Sequence, residues 1–203
     1  TYKEIFPLIK DTKLWLGTGF ANGNAYFSIP PDSNREFADG VYDKSTGLVK
    51  FRNVGWFTNL DHGRRHQKLH LMTMADNLKF SKHKEIKGKA AYDRYDNYDA
   101  IEVPFTDAIP SDYEGVMGVP VTFLDKYNPD QFEIVGTLES SDPDNPYRTR
   151  WYSAQDQKDA FLRRFGKPGS IPLNMSGVIN DVKVFKRILI RHRRTRPAGE
   201  TQK

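Results

Sequence analysis

Apolar residues along this chain recur in short groups, and polar stretches rich in glycine and proline separate them. The first group, residues 2–10 (YKEIFPLIK), spaces Ile5, Phe6, Leu8 and Ile9 so that they can share one face of a helix. Pro7 inside this group predicts a short or kinked helix, because proline lacks the N–H that a helix interior needs.

The next groups predict strands rather than helices. Two proline residues end the second of these groups, and a turn-rich stretch containing Gly40 and Gly47 follows it. This part of the chain is therefore expected to be β-rich, with hairpin-like spacing. The predicted strands are residues 13–16, 26–29, 54–60 and 69–72.

The second part of the chain mixes both patterns. Residues 76–89 are charged and weakly periodic, which indicates surface, whereas residues 154–165 predict a helix. Residues 116–124 are apolar but contain Gly118 and Pro120, so they are expected to be irregular. Short strands are predicted at residues 101–103, 132–135 and 184–190. Together these elements predict an α/β chain with substantial β content.

Composition narrows the class of protein. The chain has 203 residues, of which 37% are hydrophobic and 13% aromatic, enough for a core in spite of a mean hydropathy of −0.69. No apolar run approaches the roughly 20 residues that a membrane helix needs. Cysteine is absent, which excludes disulfides, thiolate catalysis and cysteine-based zinc sites. A reducing cytoplasm fits this composition.

The net charge of +5 is concentrated at one end of the chain. Residues 183–203 alone carry +7, whereas the other residues sum to −2. A local basic segment of this kind can meet phosphate groups. A solvated tail that aids solubility explains the last ten residues equally well.

Two segments carry a resemblance to a known family. One comprises residues 1–16 (TYKEIFPLIKDTKLWL) together with residues 56–63 (WFTNLDHG), and the other is residues 95–133, with IPSDYEGVMGVPVTFLDKYNPDQFE as its longest part. Both resemble EcoRI-type adenine-specific DNA methyltransferases. The likeness covers most of the chain and is thinner across residues 76–94 and 137–180.

The resemblance implies a function, and it implies which parts of the enzyme carry the catalytic and cofactor-binding residues. Members of this family transfer a methyl group from S-adenosylmethionine to adenine N6 in double-stranded DNA, and such enzymes usually act beside a restriction endonuclease with the same site. The Asn-Pro-Pro-Phe/Tyr tetrapeptide that grips the adenine and the segment that binds the cofactor precede the helix at residues 2–10, and neither is present here. Because the sequence begins at Thr1 inside that helix, we expect a truncated or processed chain that is inactive alone.

The resemblance also implies an architecture in three parts. Residues 1–75 would supply the last helix and terminal strands of a Rossmann-like methyltransferase sheet. Residues 76–182 would form a mixed α+β target-recognition region that binds DNA, and residues 183–203 a last strand with a basic tail. No cofactor is expected on this chain alone. The alternative is a stand-alone DNA-binding specificity module without chemistry.

One aromatic residue is a candidate for the base pocket. N6 methylation requires the adenine to leave the duplex, and in related enzymes an aromatic between the last two sheet strands stacks on it. Phe20 follows Gly17-Thr18-Gly19 after a predicted strand, in the corresponding place. A Phe20 that merely covers the sheet edge is the simpler alternative. A strand-like segment at residues 26–29, where a dinucleotide fingerprint would need a helix, argues against nucleotide binding by these glycines.

Three further groups are candidates for DNA contact. Arg64 and Arg65 lie in a basic turn, and guanidinium groups suit both phosphate and guanine. Lys126 and Gln131 flank a polar segment with side chains that can reach phosphate or base edges. The last group is Arg187, Arg191 and Arg193, whose even spacing places all three on one side of the final strand if the strand continues. Each group has a simpler alternative. The first could be an ordinary solvated turn, the second a polar loop, and the third a frayed basic terminus.

Two other patterns are expected to carry no chemistry. His62, His66 and His70 have helical spacing, but Gly63 and the strand-like residues around His70 argue against a metal site. Residues 145–147 (Asn-Pro-Tyr) have one proline instead of two and no apolar strand before them. A turn explains this tripeptide better than a catalytic motif.

Overall fold

The first helix packs against the core as its pattern predicts. A computed structural model describes residues 2–18, 23–30, 36–138 and 147–193 of the protein. Helix α1 (Tyr2–Lys10) contains Pro7 and buries Phe6 and Ile9. The prediction of a short helix here is confirmed.

The strands that follow form two small antiparallel sheets. In chain order they are β1 (Trp15–Leu16), β2 (Gly23–Ser28), β3 (Tyr42–Asp43), β4 (Leu48–Val54) and β5 (Phe57–Thr58). Strand β4 lies between β2 and β3, whereas β1 pairs with β5. The predicted single strand over residues 54–60 is wrong, because the chain leaves one sheet after β4 and enters another at β5.

The predicted strand at residues 69–72 is also wrong. Its alternating residues adopt no strand pairing, and helix α2 (Met74–Phe80) begins directly after Thr73. The Thr73 side chain accepts a hydrogen bond from the Asp76 N–H at 3.1 Å, which caps the helix. Within the charged segment predicted to be surface, Asn77 and Ile86 are buried.

Three strands and a helix follow in the second part. They are β6 (Ile101–Glu102), β7 (Met117–Val119), β8 (Phe132–Thr137) and α3 (Ala154–Phe165). The helix prediction is confirmed, and Ser153 and Asp156 form a capping box at its start. The irregular apolar segment contains β7, and after Pro120 it continues as a 3₁₀ helix over Val121–Lys126.

A tight hairpin precedes the final strand. Strand β9 (Val178–Ile179) pairs with β10 (Val182–Lys183), and Asn180 and Asp181 between them have φ of 49° and 60°. Positive φ at both central residues is the geometry of a type I′ turn, and short polar side chains tolerate it best. The last strand, β11 (Ile188–His192), begins later than the predicted residues 184–190.

The last strand occupies the middle of the largest sheet. The strand order is β6-β7-β11-β8, with β6 parallel to β7 and β11 antiparallel to both of its neighbours. One apolar cluster covers a face of this sheet and extends from Phe6 in α1 to Ile190 in β11. The expected α/β class is therefore confirmed, whereas the Rossmann-like assignment and the three-part division of the chain remain predictions. Among the described residues, no helix is both long and apolar enough to cross a membrane.

Candidate nucleic-acid interface

The basic turn places one arginine at the surface. Residues Gly63–His66 form a 3₁₀ helix, and the Arg64 guanidinium donates to the Asp125 carboxylate at 2.5 Å. Asp125 belongs to the 3₁₀ helix that follows β7. The Arg64 side chain remains 43% exposed, so the ion pair orients a guanidinium that still faces solvent.

Its neighbour Arg65 turns inward instead. The Arg65 guanidinium lies over the Trp15 ring, 3.5 Å from the ring centroid, and its side chain is only 14% exposed. Asp61, 3.4 Å away, supplies the opposite charge. Stacking on an aromatic face stabilises a cation, so Arg65 ties the turn to strand β1. Contact between Arg65 and DNA remains a prediction.

Lys126 and Gln131 lie in different environments. Lys126 is exposed at the end of its 3₁₀ helix. The Gln131 amide is half-buried and bonds the backbone of Leu69 twice, accepting from its N–H at 2.8 Å and donating to its carbonyl at 2.9 Å. Gln131 therefore fixes the segment that was predicted to be a strand, in place of a strand partner.

The three arginines in and beside the final strand lie in two different places. Arg187, which directly precedes β11, is largely buried and donates from Nε and Nη2 to one oxygen of Glu102, at 2.8 and 2.5 Å. The other carboxylate oxygen of Glu102 accepts from the Tyr95 hydroxyl. Burial raises the pKa of the Tyr95 phenol well above its usual range, so this hydroxyl keeps its proton and donates. Arg187 thus joins β11 to β6 within the fold.

Arg191 and Arg193 lie at the open end of the same strand. Arg191 is half-exposed and donates to Glu133 at 2.9 Å, and this hydrogen bond lowers the pKa of the Glu133 carboxyl. Arg193 is exposed, and its backbone N–H donates to the Gln131 carbonyl at 2.9 Å. Both side chains line a cleft of about 1100 Å³ together with Asp112 and Glu133.

Two adjoining cavities meet at Lys126, and together they form what we name the Lys126 groove. The smaller, about 220 Å³, lies between Arg64, Lys68 and Lys126. The larger, about 550 Å³, continues past Lys126 to Phe185 and Arg187. Its remaining lining residues are Glu85, Pro104, Phe105, Thr106, Asp107, Pro120 and Thr122. The groove therefore brings together Arg64, Lys126 and Arg187, which are far apart in the sequence.

Lys68 and Phe185 are two of the groove residues that sequence reasoning did not identify as candidates. Lys68 follows the basic turn and had no pattern to distinguish it. Phe185 belonged to a predicted strand, in which an apolar residue is expected to be buried. The strand begins three residues later, at Ile188, and Phe185 is left exposed.

Several other candidates have plain structural surroundings. His62 Nε2 lies 3.1 Å from the Leu16 carbonyl oxygen, and His66 Nε2 lies 2.9 Å from an Asp61 oxygen. No three histidine or acidic residues in the described ranges converge in a way that would hold a metal. Beyond Gly17 and Thr18, the next described element is strand β2, not a helix. Phe20 and the Asn145-Pro146 pair lie outside the described residues.

Comparison with known proteins establishes the family. The family model described as adenine-specific methyltransferase EcoRI matches residues 1–193. This chain therefore belongs to the EcoRI adenine-specific methyltransferase family, as the two segments quoted from the sequence indicate.

Curated relatives carry the same class of name. The Type II methyltransferase M.EcoRI of Escherichia coli is 41% identical over 136 residues, which cover 66% of this chain and 39% of that protein. The Type II methyltransferase M.MgeORF184P of Mycoplasma genitalium is 37% identical, over 73% of this chain and 43% of the relative. M.MpnI of Mycoplasma pneumoniae is 35% identical, over 73% and 42%. The chain thus spans about two fifths of the length of these relatives, and no solved structure matches it.

Proposed function

We propose that this chain is the DNA-facing part of a site-specific methyltransferase that transfers the methyl group of S-adenosylmethionine to adenine N6. The observation that carries this proposal is the family match over residues 1–193. The exposed cations at the Lys126 groove support it, because phosphate oxygens are the most abundant acceptors on duplex DNA.

We assign the candidate residues to two roles according to their surroundings. Arg64, Lys126, Arg191 and Arg193 keep exposed cationic side chains and are assigned to phosphate or base-edge contact. Arg65, Gln131 and Arg187 are bonded within the chain, and we assign them to holding the DNA-contacting segments in place. Phe20 is assigned to the pocket of the flipped adenine.

The cofactor is assigned to the remainder of the intact enzyme. Among the described residues, no glycine-rich loop joins a strand end to a helix N-terminus, the arrangement that positions an adenosyl cofactor in Rossmann-like sheets. In keeping with the family resemblance, we assign both S-adenosylmethionine and the Asn-Pro-Pro-Phe/Tyr tetrapeptide to residues outside this chain. In this proposal, α1 and the first strands complete that Rossmann-like sheet, and the chain alone is inactive.

The biological setting follows from the same proposal. The enzyme works in the cytoplasm on double-stranded DNA, where its methylation protects a site from a cognate restriction endonuclease. A stand-alone DNA-binding specificity module is the second candidate. It is favoured by the apolar cluster that runs from α1 to β11, since such a shared core allows the chain to fold as one unit.

Two measurements test these proposals. The intact protein, expressed in cells without their own adenine methylation, is expected to place N6-methyladenine in chromosomal DNA, as detected by mass spectrometry. Unmethylated DNA from cells that contain soluble protein would refute the enzyme and leave the module.

DNA binding is measured by fluorescence anisotropy on a mixed-sequence duplex across a salt series. Lys126→Gln and Arg64→Gln are each expected to lower the slope of log K against log salt by about 0.9, the value of one lost phosphate contact. Lys158→Gln is the matched control, because Lys158 is exposed on α3 and lines neither cavity of the Lys126 groove. Equal slopes for all three variants would contradict a DNA interface at this groove.

A further inference from the structure

Phe185 is exposed to an unusual degree for a large apolar side chain. Its exposed fraction is 82%, the highest among the large hydrophobic residues in the described part of the chain. Single exposed apolar side chains are common on protein surfaces, so the role of Phe185 depends on how its backbone is held and on what surrounds its ring.

The backbone on both sides of Phe185 is firmly held. The Val184 N–H donates to the Gly177 carbonyl at 2.8 Å, and the Ser176 hydroxyl donates to the Val184 carbonyl. On the other side, Arg187 is bonded to Glu102, and its carbonyl accepts from the Leu138 N–H at 3.1 Å. Phe185 is therefore presented to solvent by an ordered segment, which lowers the entropic cost of binding through its ring.

The surroundings of the ring combine apolar surface with charges of both signs: Lys126 and Arg187 line the same cavity as Glu85 and Asp107, and Asp107 is paired with Lys82 and His83. Phe185 lines the larger cavity of the Lys126 groove beside Pro104, Pro120 and Lys126. Lys126 is exposed there, and Arg64 and Lys68 continue the positive charge into the adjoining cavity. A hydrophobic ring next to a row of cations matches a ligand with flat apolar faces linked by phosphates.

We propose that Phe185 stacks on a base of bound DNA while Lys126 contacts the adjacent phosphate. The proposal rests on the DNA-binding function proposed above and adds a specific aromatic contact to it. Every base has a π face, so this contact strengthens binding without reading sequence, and a phenylalanine that enters a base step also unstacks it.

The two contacts have different signatures in a salt series with the intact protein and a mixed-sequence duplex. Phe185→Ala is expected to weaken binding roughly 5- to 150-fold, the range for one base stacked on an aromatic ring, with the salt slope unchanged. Lys126→Gln is expected to reduce the slope, because a phosphate contact displaces a counterion. Phe185→Trp keeps a stacking ring and is expected to retain binding.

The control is Trp151→Ala, which removes another exposed aromatic side chain that lines neither cavity of the groove. If Phe185→Ala binds as tightly as Trp151→Ala does, the stacking proposal is wrong, although the DNA-binding function stands. A lowered melting temperature of DNA-free Phe185→Ala, relative to Trp151→Ala, would make Phe185 an internal packing residue and would also overturn the proposal. If the wild-type protein binds no DNA even at low salt, the proposed function fails and the stacking contact fails with it.

Discussion

Arg187 and Glu102 form a buried ion pair that joins the last strand of the central sheet to its edge strand. The exposed fractions of the two side chains are 11% and 8%, and both hydrogen bonds from the guanidinium reach the same carboxylate oxygen. A buried charge is tolerated only when it is paired, because leaving water costs several kcal/mol for each ion.

Removing one partner of this pair is expected to be far worse than removing both. Glu102→Gln leaves Arg187 charged and buried, and we expect a loss of about 3–5 kcal/mol in the free energy of unfolding. The double variant Glu102→Leu/Arg187→Met removes both charges and is expected to recover much of that loss. Urea denaturation of both variants measures the difference, and equal stabilities would contradict an essential ion pair.

Tyr95, whose hydroxyl donates to Glu102 of this ion pair, leaves no room for a side chain at position 118. A Cβ added at Gly118 would lie 2.0 Å from the Tyr95 hydroxyl oxygen, which is held by its hydrogen bond to Glu102. We expect Gly118→Ala to cost about 1–3 kcal/mol through overpacking. Gly63→Ala is the control, because its Cβ would meet no atom within 4 Å. In a double-variant cycle with Tyr95→Phe, additive losses would argue against this contact.

The Gln131 amide is expected to protect the Leu69 backbone from exchange with solvent. Gln131→Ala removes both hydrogen bonds to Leu69, so we expect faster hydrogen exchange of the Leu69 amide, with unchanged protection in β7 and β11. Gln131→Glu keeps the oxygen that accepts from this N–H and should retain most of its protection. Unchanged exchange at Leu69 in Gln131→Ala would show that packing alone holds the segment.

The Arg191–Glu133 pair gives a pH dependence of known sign. The hydrogen bond from Arg191 lowers the folded-state pKa of Glu133 below 4.5, its ordinary value. The stabilisation from this pair is therefore fully present above that pH and is lost as the pH falls through the folded-state pKa. Both side chains are about half exposed, so the contribution is expected to stay below about 1 kcal/mol. In Arg191→Gln, an NMR titration should find a higher Glu133 pKa; an unchanged value would exclude the pairing in solution.

The capping box of α3 gives a further stability prediction. Ser153→Ala removes the acceptor for the Asp156 N–H, and we expect a loss of about 1 kcal/mol. Ser170→Ala, in an exposed loop, is the matched control. Equal thermal denaturation midpoints for the two variants would contradict the prediction.

Local signals in the sequence determine helices α1 and α3, but they did not predict α2 (Met74–Phe80), and they determine the strands less well. Helix α3 follows its predicted bounds because Ser153 caps it and Gly166, with φ of 66°, ends it. Residues 69–72 alternate like a strand, yet Gln131, distant in the sequence, takes the place of a strand partner. Pairing between distant segments leaves no local pattern, and the start of β11 was misjudged for the same reason.

The candidate site shows the same limit. Charge and residue type indicate which arginines and lysines could contact DNA. They do not indicate which of these side chains are instead bonded to other residues within the protein. Arg64 and Arg65 are adjacent and chemically identical, yet one faces solvent and the other lies over Trp15. Whether the Phe185 side chain is buried or exposed depends on where β11 begins, and only the three-dimensional structure shows this.

The central position of β11 also has a consequence for protein synthesis. Among the described residues, strands β7 and β8 share no partner in the sheet other than β11, and β11 leaves the ribosome roughly 50 residues after β8. At about 5–20 residues per second, the nascent chain spends several seconds with the inner edges of β7 and β8 open. The central sheet can therefore be completed only after β11 emerges, and until then the unpaired edges of β7 and β8 are exposed to pairing with other chains.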